Sequence, residues 1–377
     1  MNQFQYWHLR PNIITFVRHS FLAIIFMTQN LFFKILLFPF SLLYDMITRL
    51  RNFLYNSGNR RSIKFDLPVI NVGNLSVGGT GKTPHVEYLI NLLKDKVSIS
   101  TLSRGYGRKT KGIIIADENA TAKNIGDEPM QFYNKFHKQI TVAVGEERAL
   151  AIPTILFEKP ETNVIILDDA FQHRAVVPSL NILLTDYNKL FYQDFVLPAG
   201  RLREARIGAK RADIIIVTKC QDTIRQEEID EINKNISYYK KKETPVFFSC
   251  IKYGDPEPIY ESSLLVSSQQ VVLFSGIANS VQLSSYVKQH FQLKEELIYS
   301  DHHEYSSFDI EKILKTYEKY NTNGMILTTE KDMVKLQSSE FKEMLKGFPV
   351  FYLPIKVAFL EDKSIFDNII LKECNIF

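Results

Sequence analysis

The feature that most constrains this sequence is the glycine-rich segment SVGGTGKT at Ser76–Thr83. A short apolar run, Val69–Val72, precedes it, and a helical pattern follows it. In a strand–loop–helix unit of this kind, glycines allow successive backbone N–H groups to point into the loop, and the helix N-terminus adds positive potential. The segment therefore predicts an anion-binding loop at the carboxyl edge of a sheet.

This loop is similar to the Walker A loop that binds the phosphates of ATP. Lys82 is expected to reach the outer phosphates and to act in catalysis, and the Thr83 hydroxyl is expected to bind Mg²⁺. Ser76 stands where the usual pattern has its first glycine. The alternative is a glycine-rich turn that binds no nucleotide. The predicted nucleotide-binding residues are Ser76, Val77, Gly78, Gly79, Thr80, Gly81, Lys82 and Thr83.

A nucleotide–metal site also needs a carboxylate, usually at the end of a neighbouring apolar strand. Val164–Leu167 has such a strand pattern, and Asp168 and Asp169 follow it directly. Consecutive side chains of a strand point to opposite faces, so the two acids have different surroundings. We predict Asp168 as the first Mg²⁺ partner and Asp169 as the second. A solvated acid at a strand end is the alternative.

From about Leu67 onwards, short β-branched runs alternate with helical stretches, and a further unit begins near Val271. The alternation predicts an α/β fold: a P-loop parallel sheet with flanking helices, and a second, smaller α/β domain. We place the units at residues 1–66, 67–260 and 261–377. The predicted strands of the first sheet are Val69–Val72, Val97–Leu102, Gly112–Ala116, Thr141–Val144, Val164–Leu167, Ile182–Thr185 and Ile214–Thr218.

Residues 1–66 are predicted to form an N-terminal membrane-associated helical segment. The stretch Ser20–Tyr44 is rich in Phe and Leu, but Lys34 and Pro39 interrupt it. A transmembrane helix needs about 20 mainly apolar residues. In-plane amphipathic helices therefore explain the interruptions better than a membrane span, which is the first alternative. A core helix of a soluble fold is the second alternative.

Charge and cysteine content limit the binding partners and the cellular compartment that are expected for this chain. The formal net charge of +4 is too small to indicate nucleic-acid binding, but Asp45 is the only acid before Lys64, so the N-terminal segment favours anionic surfaces. The chain has three cysteines and no CxxC pair, which supports neither a disulfide framework nor a zinc ribbon. A reducing, cytosolic environment and a retained N-terminus are expected.

Further motifs stand in a fixed order along the chain. They are Gly73–Leu75, Ser103–Gly107, Gly126–Pro129, Asp168–His173, Asp301–His303 and Thr328–Asp332. With the phosphate loop they resemble the tetraacyldisaccharide 4′-kinases of lipid A synthesis over nearly the whole chain, although Ala170 replaces a common glycine. The resemblance implies transfer of the γ-phosphate of ATP, with Mg²⁺, to the 4′-hydroxyl of a tetraacyldisaccharide 1-phosphate, forming lipid IVA.

The resemblance also implies roles for individual side chains. Asp127 is the implied general base, and His302 is implied to orient it or to tune its carboxylate, with His303 as the alternative. Glu128 is expected to help to hold Mg²⁺. From spacing alone, Asp127 and Glu128 fit equally well as acids that favour the N-terminus of a helix begun by Pro129.

The sequence leaves the roles of several other residues open. Three arginines follow predicted strand ends, where open α/β sheets bind ligands, so they are candidates for contacts with the nucleotide or with the lipid 1-phosphate. They are Arg104, Arg108 and Arg148. Ordinary solvated arginines are the alternative. His173 fits a packed histidine as well as a site residue, and the sequence assigns no role to Thr328–Asp332.

The expected location is the cytoplasmic face of the inner membrane, with the catalytic domains on that side. Each buried CH₂ is worth about 0.8 kcal/mol, so a lipid with four acyl chains stays in the bilayer and the enzyme must go to it. The expected partners are the lipid substrate and the membrane surface, with no nucleic acid and no obligate protein partner. The functional alternative is a membrane-recruited P-loop switch ATPase, but such proteins often carry a lysine where this chain has Val77.

Overall fold

The computed structural model describes residues 31–260, 268–320, 323–337 and 339–376. Two sheets organise these residues, and the first has nine strands. In chain order its strands are β1 (Val69–Asn74), β2 (Ile99–Ser103), β3 (Ile114–Ile115), β4 (Ile140–Val144), β5 (Val164–Asp168), β6 (Leu180–Asp186), β7 (Ile214–Thr218), β8 (Val246–Tyr253) and β14 (Ile355–Phe359). Their spatial order is β14-β8-β7-β6-β1-β5-β2-β4-β3, and every pair except β14–β8 and β3–β4 is parallel.

The second sheet has five strands in the order β11-β10-β12-β13-β9, with only β9 antiparallel to its neighbour. Its strands are β9 (Glu257–Pro258), β10 (Gln270–Ser275), β11 (Gln292–Ile298), β12 (Met325–Thr329) and β13 (Val350–Leu353). The described helices are α1 (Leu31–Asn56), α2 (Lys82–Leu93), α3 (Ala122–Ile125), α4 (Asp127–Phe136), α5 (Arg148–Glu158), α6 (Gln226–Ser237), α7 (Val281–His290), α8 (Ser307–Lys319), α9 (Glu330–Met333), α10 (Ser339–Met344) and α11 (Lys363–Glu373).

The predicted α/β class is confirmed. Near-continuous apolar runs such as Val164–Asp168 and Ile214–Thr218 are buried along their whole length, as central parallel strands require. Apolar side chains of helices α2 and α11 pack in one core cluster with strands of the first sheet, and those of α5 pack in another. The seven strands predicted for the first sheet are all present within a few residues of their predicted bounds.

The end of the chain differs from the predicted domain division. Strand β14 pairs antiparallel with β8, and Phe366 and Ile370 of α11 lie in a core cluster of the first sheet. In contrast, β9 pairs with β13 of the second sheet. The second unit therefore begins near residue 257 and ends near residue 353, and the last segment returns to the first sheet. Strand periodicity indicates that β14 is a strand, but it does not indicate its partner.

Helix α1 is docked through its polar side. The Tyr44 hydroxyl donates to the Arg203 carbonyl at 3.2 Å, and Asn52 donates to Glu204 at 2.7 Å. The large apolar side chains of the opposite side are more than half exposed. These are Phe32, Ile35, Leu36, Phe40, Leu42, Leu43, Met46, Ile47, Leu50 and Phe53. Of Ser20–Tyr44, residues 20–30 lie outside the described residues. None of the described helices combines the length and the apolarity needed to cross a membrane.

Candidate active site

The phosphate loop joins β1 to α2. Gly78 and Gly81 have φ of 105° and 82°, values that L side chains rarely adopt, so glycine is required at both positions. Ser76 is not among the described residues with positive φ, and it forms a β-bridge with Leu202. The departure from the usual glycine is therefore accommodated, because the backbone at Ser76 is extended and paired.

Neighbouring segments hold the loop in shape. Asn74 Nδ2 donates to Thr80 Oγ1 at 2.7 Å, and Thr218 Oγ1 donates to the Thr80 carbonyl at 2.8 Å. The Val77 amide donates to the Arg201 carbonyl at 2.8 Å. The loop is thus fixed by the end of β1, by the end of β7 and by the segment that also contacts α1, which leaves it preorganised for an anion.

The two adjacent acids after β5 have different surroundings. Asp168 is 1% exposed, and among the described residues its Oδ1 has no hydrogen-bond partner. Burial, and next the charge of Glu128, raise the pKa of Asp168. Asp169 lies 3.7 Å from Lys82 Nζ and accepts two hydrogen bonds from Arg203, at 2.9 and 3.1 Å. Burial opposes its ionisation, but Lys82 and Arg203 outweigh burial and hold its pKa at about 2.

The donors near the loop fit Mg²⁺ that is shared with a nucleotide. The described residues include no cluster of three or more His, Cys, Asp or Glu arranged to hold a metal alone. Mg²⁺, however, commonly binds through one or two carboxylates together with substrate phosphates and water. The buried Oδ1 of Asp168, which has no hydrogen-bond partner among the described residues, fits such a ligand. Glu128, one of the other predicted ligands, is close enough for its charge to raise the pKa of Asp168.

Asp127 and His302 come from different units and meet at this edge. Asp127 is the first residue of α4, and its Oδ2 lies 3.3 Å from His302 Nδ1. His302 has a φ of 56°, an uncommon conformation for histidine, and its ring lies 5.3 Å from that of Tyr106. His303 instead contacts Asp309 at 3.1 Å. Of the two candidate histidines, the structure therefore brings His302 to Asp127.

Two lysines that the sequence did not assign adjoin this pair. Lys331 Nζ lies 3.0 Å from His302 Nε2, and Lys335 Nζ lies 3.7 Å from Asp127 Oδ2. Burial raises the pKa of Asp127, but the His302 hydrogen bond and the Lys335 charge outweigh it and lower the pKa. Lys331 lies two residues after β12, and Lys335 lies just beyond α9. The available signal was therefore the pair of lysines in the segment that follows an apolar strand.

Asp332, the acid of the Thr328–Asp332 motif, anchors the segment that carries Lys331. Asp332 is fully buried and accepts hydrogen bonds from the Gly276 amide at 2.9 Å and from the Thr329 hydroxyl at 2.7 Å. Thr329 in turn caps α9, because its side chain accepts from the Asp332 amide. The motif therefore fixes the start of α9, from which Lys331 projects towards the site.

The three arginine candidates differ in their surroundings. Arg148 is 2% exposed and donates to the Gly145 carbonyl, but among the described residues its Nε and Nη2 have no partner. Burial, and next the charges of Arg148 and Arg104, lower the pKa of His173 to about 4. Arg104 is exposed. Arg104 and Arg148 therefore lie near enough to His173 for their charges to act on it. Arg108 is instead paired with Glu146.

A P-loop fold with a buried acid beside the loop and an acid–histidine pair supplied by two units defines a P-loop phosphotransferase. Residues 33–375 match the family model described as tetraacyldisaccharide-1-P 4′-kinase. The chain belongs to this family. The family predicted from the ordered motifs is therefore confirmed, and with it the enzyme class, a kinase.

Individual relatives cover nearly the whole chain. The curated tetraacyldisaccharide 4′-kinase of Flavobacterium johnsoniae is 45% identical over 350 residues, which are 91% of this chain and 98% of the relative. That of Parabacteroides distasonis is 44% identical over 342 residues, 88% and 92% of the two chains. A crystal structure of LpxK from Aquifex aeolicus in complex with ATP has a TM-score of 0.70 and 33% identity, and the match covers 90% of this chain and 99% of that one.

Proposed function

We propose that this chain transfers the γ-phosphate of ATP to the 4′-hydroxyl of tetraacyldisaccharide 1-phosphate, with Asp127 as the general base. The observation that carries the proposal is the contact of Asp127 with His302 beside the phosphate loop, at 3.3 Å. Glu128, the next residue, is close enough for its charge to raise the pKa of Asp168. This proximity supports a base close to the phosphate site, as in-line transfer requires.

The reaction makes one O–P bond and breaks another. The 4′-hydroxyl attacks the γ-phosphorus, its proton passes to the Asp127 carboxylate, and the bond to the ADP oxygen breaks. A lowered pKa keeps Asp127 ionised at neutral pH, so it is ready to accept that proton. Lys82 stabilises the charge on the outer phosphates, and its contact with Asp169 holds it at the loop before ATP binds.

Mg²⁺ would be held by Asp168 and Thr83, with Glu128 directly or through water. When bound, it neutralises charge on the β- and γ-phosphate oxygens. Asp168 is favoured over Asp169 because Asp169 is already paired with two cations, whereas the buried Oδ1 of Asp168 has no hydrogen-bond partner in the described part of the chain. We propose that the 1-phosphate binds beside Arg104, Arg148 and His173. The buried Arg148 guanidinium suits a phosphate group, because its Nε and Nη2 have no partner among the described residues.

We propose that α1 attaches the enzyme peripherally to the cytoplasmic face of the inner membrane. Its polar side is held by Arg203 and Glu204, so its apolar side faces outwards. A contiguous exposed apolar face of this kind suits the boundary between headgroups and acyl chains. The free surface of α1 and a substrate that stays in the bilayer support the same location.

The test of the chemistry is transfer of labelled γ-phosphate from ATP to purified tetraacyldisaccharide 1-phosphate in detergent micelles. Asp127→Asn should reduce transfer by about 10²–10⁴-fold, because the variant cannot accept the proton. The matched control is Asp95→Asn, which changes an exposed acid of the same unit. Undiminished transfer by Asp127→Asn would remove Asp127 as the base. ATP hydrolysis by the wild type without lipid phosphorylation would favour the switch ATPase.

The test of attachment is flotation with vesicles that contain anionic lipid. Leu50→Glu on α1 should weaken binding on the order of tenfold, because it removes apolar area and adds a repelled charge. Ile365→Glu on α11 is the control, since Ile365 and Leu50 are similarly exposed, at 56% and 58%. Equal loss of binding in both variants would contradict attachment through α1.

A further inference from the structure

Lys331, the lysine of the Thr328–Asp332 motif, makes a contact that indicates which nitrogen of the His302 ring carries the proton. Lys331 Nζ lies 3.0 Å from His302 Nε2. A lysine ammonium has three donor hydrogens and no acceptor. Nε2 must therefore accept, and a ring nitrogen accepts only when it carries no proton. The single proton of the neutral ring is then on Nδ1.

The contact of Nδ1, on the other side of the His302 ring, agrees with this assignment. His302 Nδ1 lies 3.3 Å from Asp127 Oδ2, and an ionised carboxylate only accepts. A ring protonated on Nδ1 satisfies both neighbours. The opposite tautomer would direct N–H at the Lys331 ammonium and a lone pair at the Asp127 carboxylate, and a doubly protonated ring would also direct N–H at the ammonium.

Acidic neighbours keep Lys331 charged. Its Nζ lies 3.3 Å from Asp301 Oδ1. Burial lowers the pKa of Lys331, but the charges of Glu128 and Asp301 outweigh burial and raise it. Asp301 Oδ2 lies 3.9 Å from His302 Nε2, which is beyond hydrogen-bond distance, so Asp301 holds the lysine and does not take a ring proton.

We propose that Lys331 is a positioning residue that fixes His302 in the Nδ1–H tautomer, so that the ring donates to Asp127 Oδ2 and leaves Oδ1 for the acceptor hydroxyl. This inference rests on the proposed role of Asp127 as the base. The ring takes up no proton during turnover, since the hydroxyl proton goes to Asp127. The lysine thus acts through the histidine and touches neither the sugar nor the transferred phosphate.

The direct test is the tautomer itself. Protein labelled with ¹⁵N-histidine is studied by long-range ¹H–¹⁵N correlation at neutral pH, and the His302→Gln variant identifies the ring. The wild type should show protonated Nδ1 and unprotonated Nε2. Lys331→Met should shift the ring towards Nε2–H, Lys331→Arg should retain the wild-type pattern, and Lys346→Met, an exposed lysine, should change nothing. An unchanged pattern in Lys331→Met would overturn the proposal.

A kinetic cycle separates positioning from direct contact with phosphate. Lys331→Met should lower kcat by about 10- to 100-fold with little change in the KM for ATP, since it removes part of the 10²–10⁴-fold that a positioned base supplies. In the His302→Gln background, the same substitution should cost less than about threefold. Losses that multiply in the double variant would contradict action through His302 and would indicate a phosphate contact.

The proposed roles of Lys331 and of Asp127 can be rejected independently of each other. The tautomer pattern does not require turnover, so an unchanged pattern rejects the role of Lys331 and leaves Asp127 as the base. Full activity of Asp127→Asn rejects the base whatever the tautomer is. Thermal melting of each variant confirms that it is folded, and Lys331→Arg keeps the charge facing Asp301 if Lys331→Met is unstable.

Discussion

The phosphate loop and the group around Asp127 are built in opposite ways. The loop is one run of residues, Ser76–Thr83, whose shape follows from its own glycines and from the ends of adjacent strands. Asp127 and His302 stand 175 positions apart and meet only because the two units pack together. A local motif therefore forms the phosphate loop, whereas the proposed base and its histidine meet only through the way the second unit lies against the first.

An ionic group of one lysine and two buried acids joins the units near Asp127. Lys135 of α4 contacts Glu87 of α2 at 2.7 Å and Glu330 of α9 at 2.6 Å. Asn134 also donates to Gln337 at 2.7 Å. Since α4 begins at Asp127 and α9 carries Lys331, these contacts fix the positions of Asp127 and Lys331 relative to each other. Changes in the loop should thus affect phosphate chemistry alone, and changes at this interface should also affect stability.

Among the loop, the interface between the units and the contact of α1, the largest effect is expected at the loop. Lys82→Ala should lower the rate of phosphate transfer by at least about 10²–10³-fold, because it removes a preorganised charge from the outer phosphates. Transfer of labelled phosphate measures the loss, and melting should show an intact fold. Lys96→Ala, at an exposed position beyond α2, is the control. Transfer within tenfold of the wild type would show that the loop does not act through Lys82.

An intermediate effect, on stability, is expected at the interface. Burial, and next Glu330, raise the pKa of Glu87 to about 7 from 4.5, although Lys135 opposes the shift. A carboxyl group whose pKa is raised by folding stabilises the folded state most below about pH 4.5, and that contribution is lost as the pH rises through about 7. Glu87→Gln removes this loss, which is on the order of 3 kcal/mol.

The measurement is the free energy of unfolding, by denaturant titration in detergent at about pH 5 and pH 8. The wild type should lose more stability between these values than Glu87→Gln. Glu118→Gln, at an exposed acid, should behave like the wild type. If the free energy of unfolding of Glu87→Gln depended on pH as it does in the wild type, Glu87 would not be the group responsible for that dependence.

The smallest effect is expected where α1 meets the segment beside the loop. Tyr44→Phe removes the hydrogen bond to the Arg203 carbonyl and should cost about 0.5–1.5 kcal/mol of unfolding free energy. Phosphate transfer in micelles should change by less than about fivefold, because the loop keeps its other supports. Tyr238→Phe, at an exposed tyrosine, is the control. A large loss of transfer would show that α1 also controls the loop.

Much of the first sheet was predictable because central parallel strands are continuous apolar runs between turns. Strand β3 is shorter than the predicted Gly112–Ala116, since only Ile114–Ile115 pairs with β4 at the sheet edge. Strand β11, with the charged sequence QLKEELI, lies at the edge of the second sheet and lacks such a run. Its identity as a strand depends on pairing with β10, which no local pattern reveals.

The candidate site likewise contains residues that the sequence predicted and residues that it did not. The nucleotide loop and the acids after β5 were predicted because their chemistry lies in consecutive residues. Arg203 is one of three arginines close together in the sequence, at positions 201, 203 and 206, a pattern that names no partner. In the structure it binds Asp169. Lys331 and Lys335 were not assigned, because a lysine that faces a distant histidine or aspartate looks like any other lysine in the sequence.

The sequence by itself determined the class of fold, the order of the motifs and the family, because glycine geometry, apolar periodicity and strand-end acids are local properties of the chain. The tertiary structure alone decided the return of Ile355–Phe359 to the first sheet, the outward apolar face of α1 and the meeting of Lys331 with His302. The physical reason is that burial and pairing over long separations depend on the packing of whole units, and a short stretch of sequence carries no information about its distant partner.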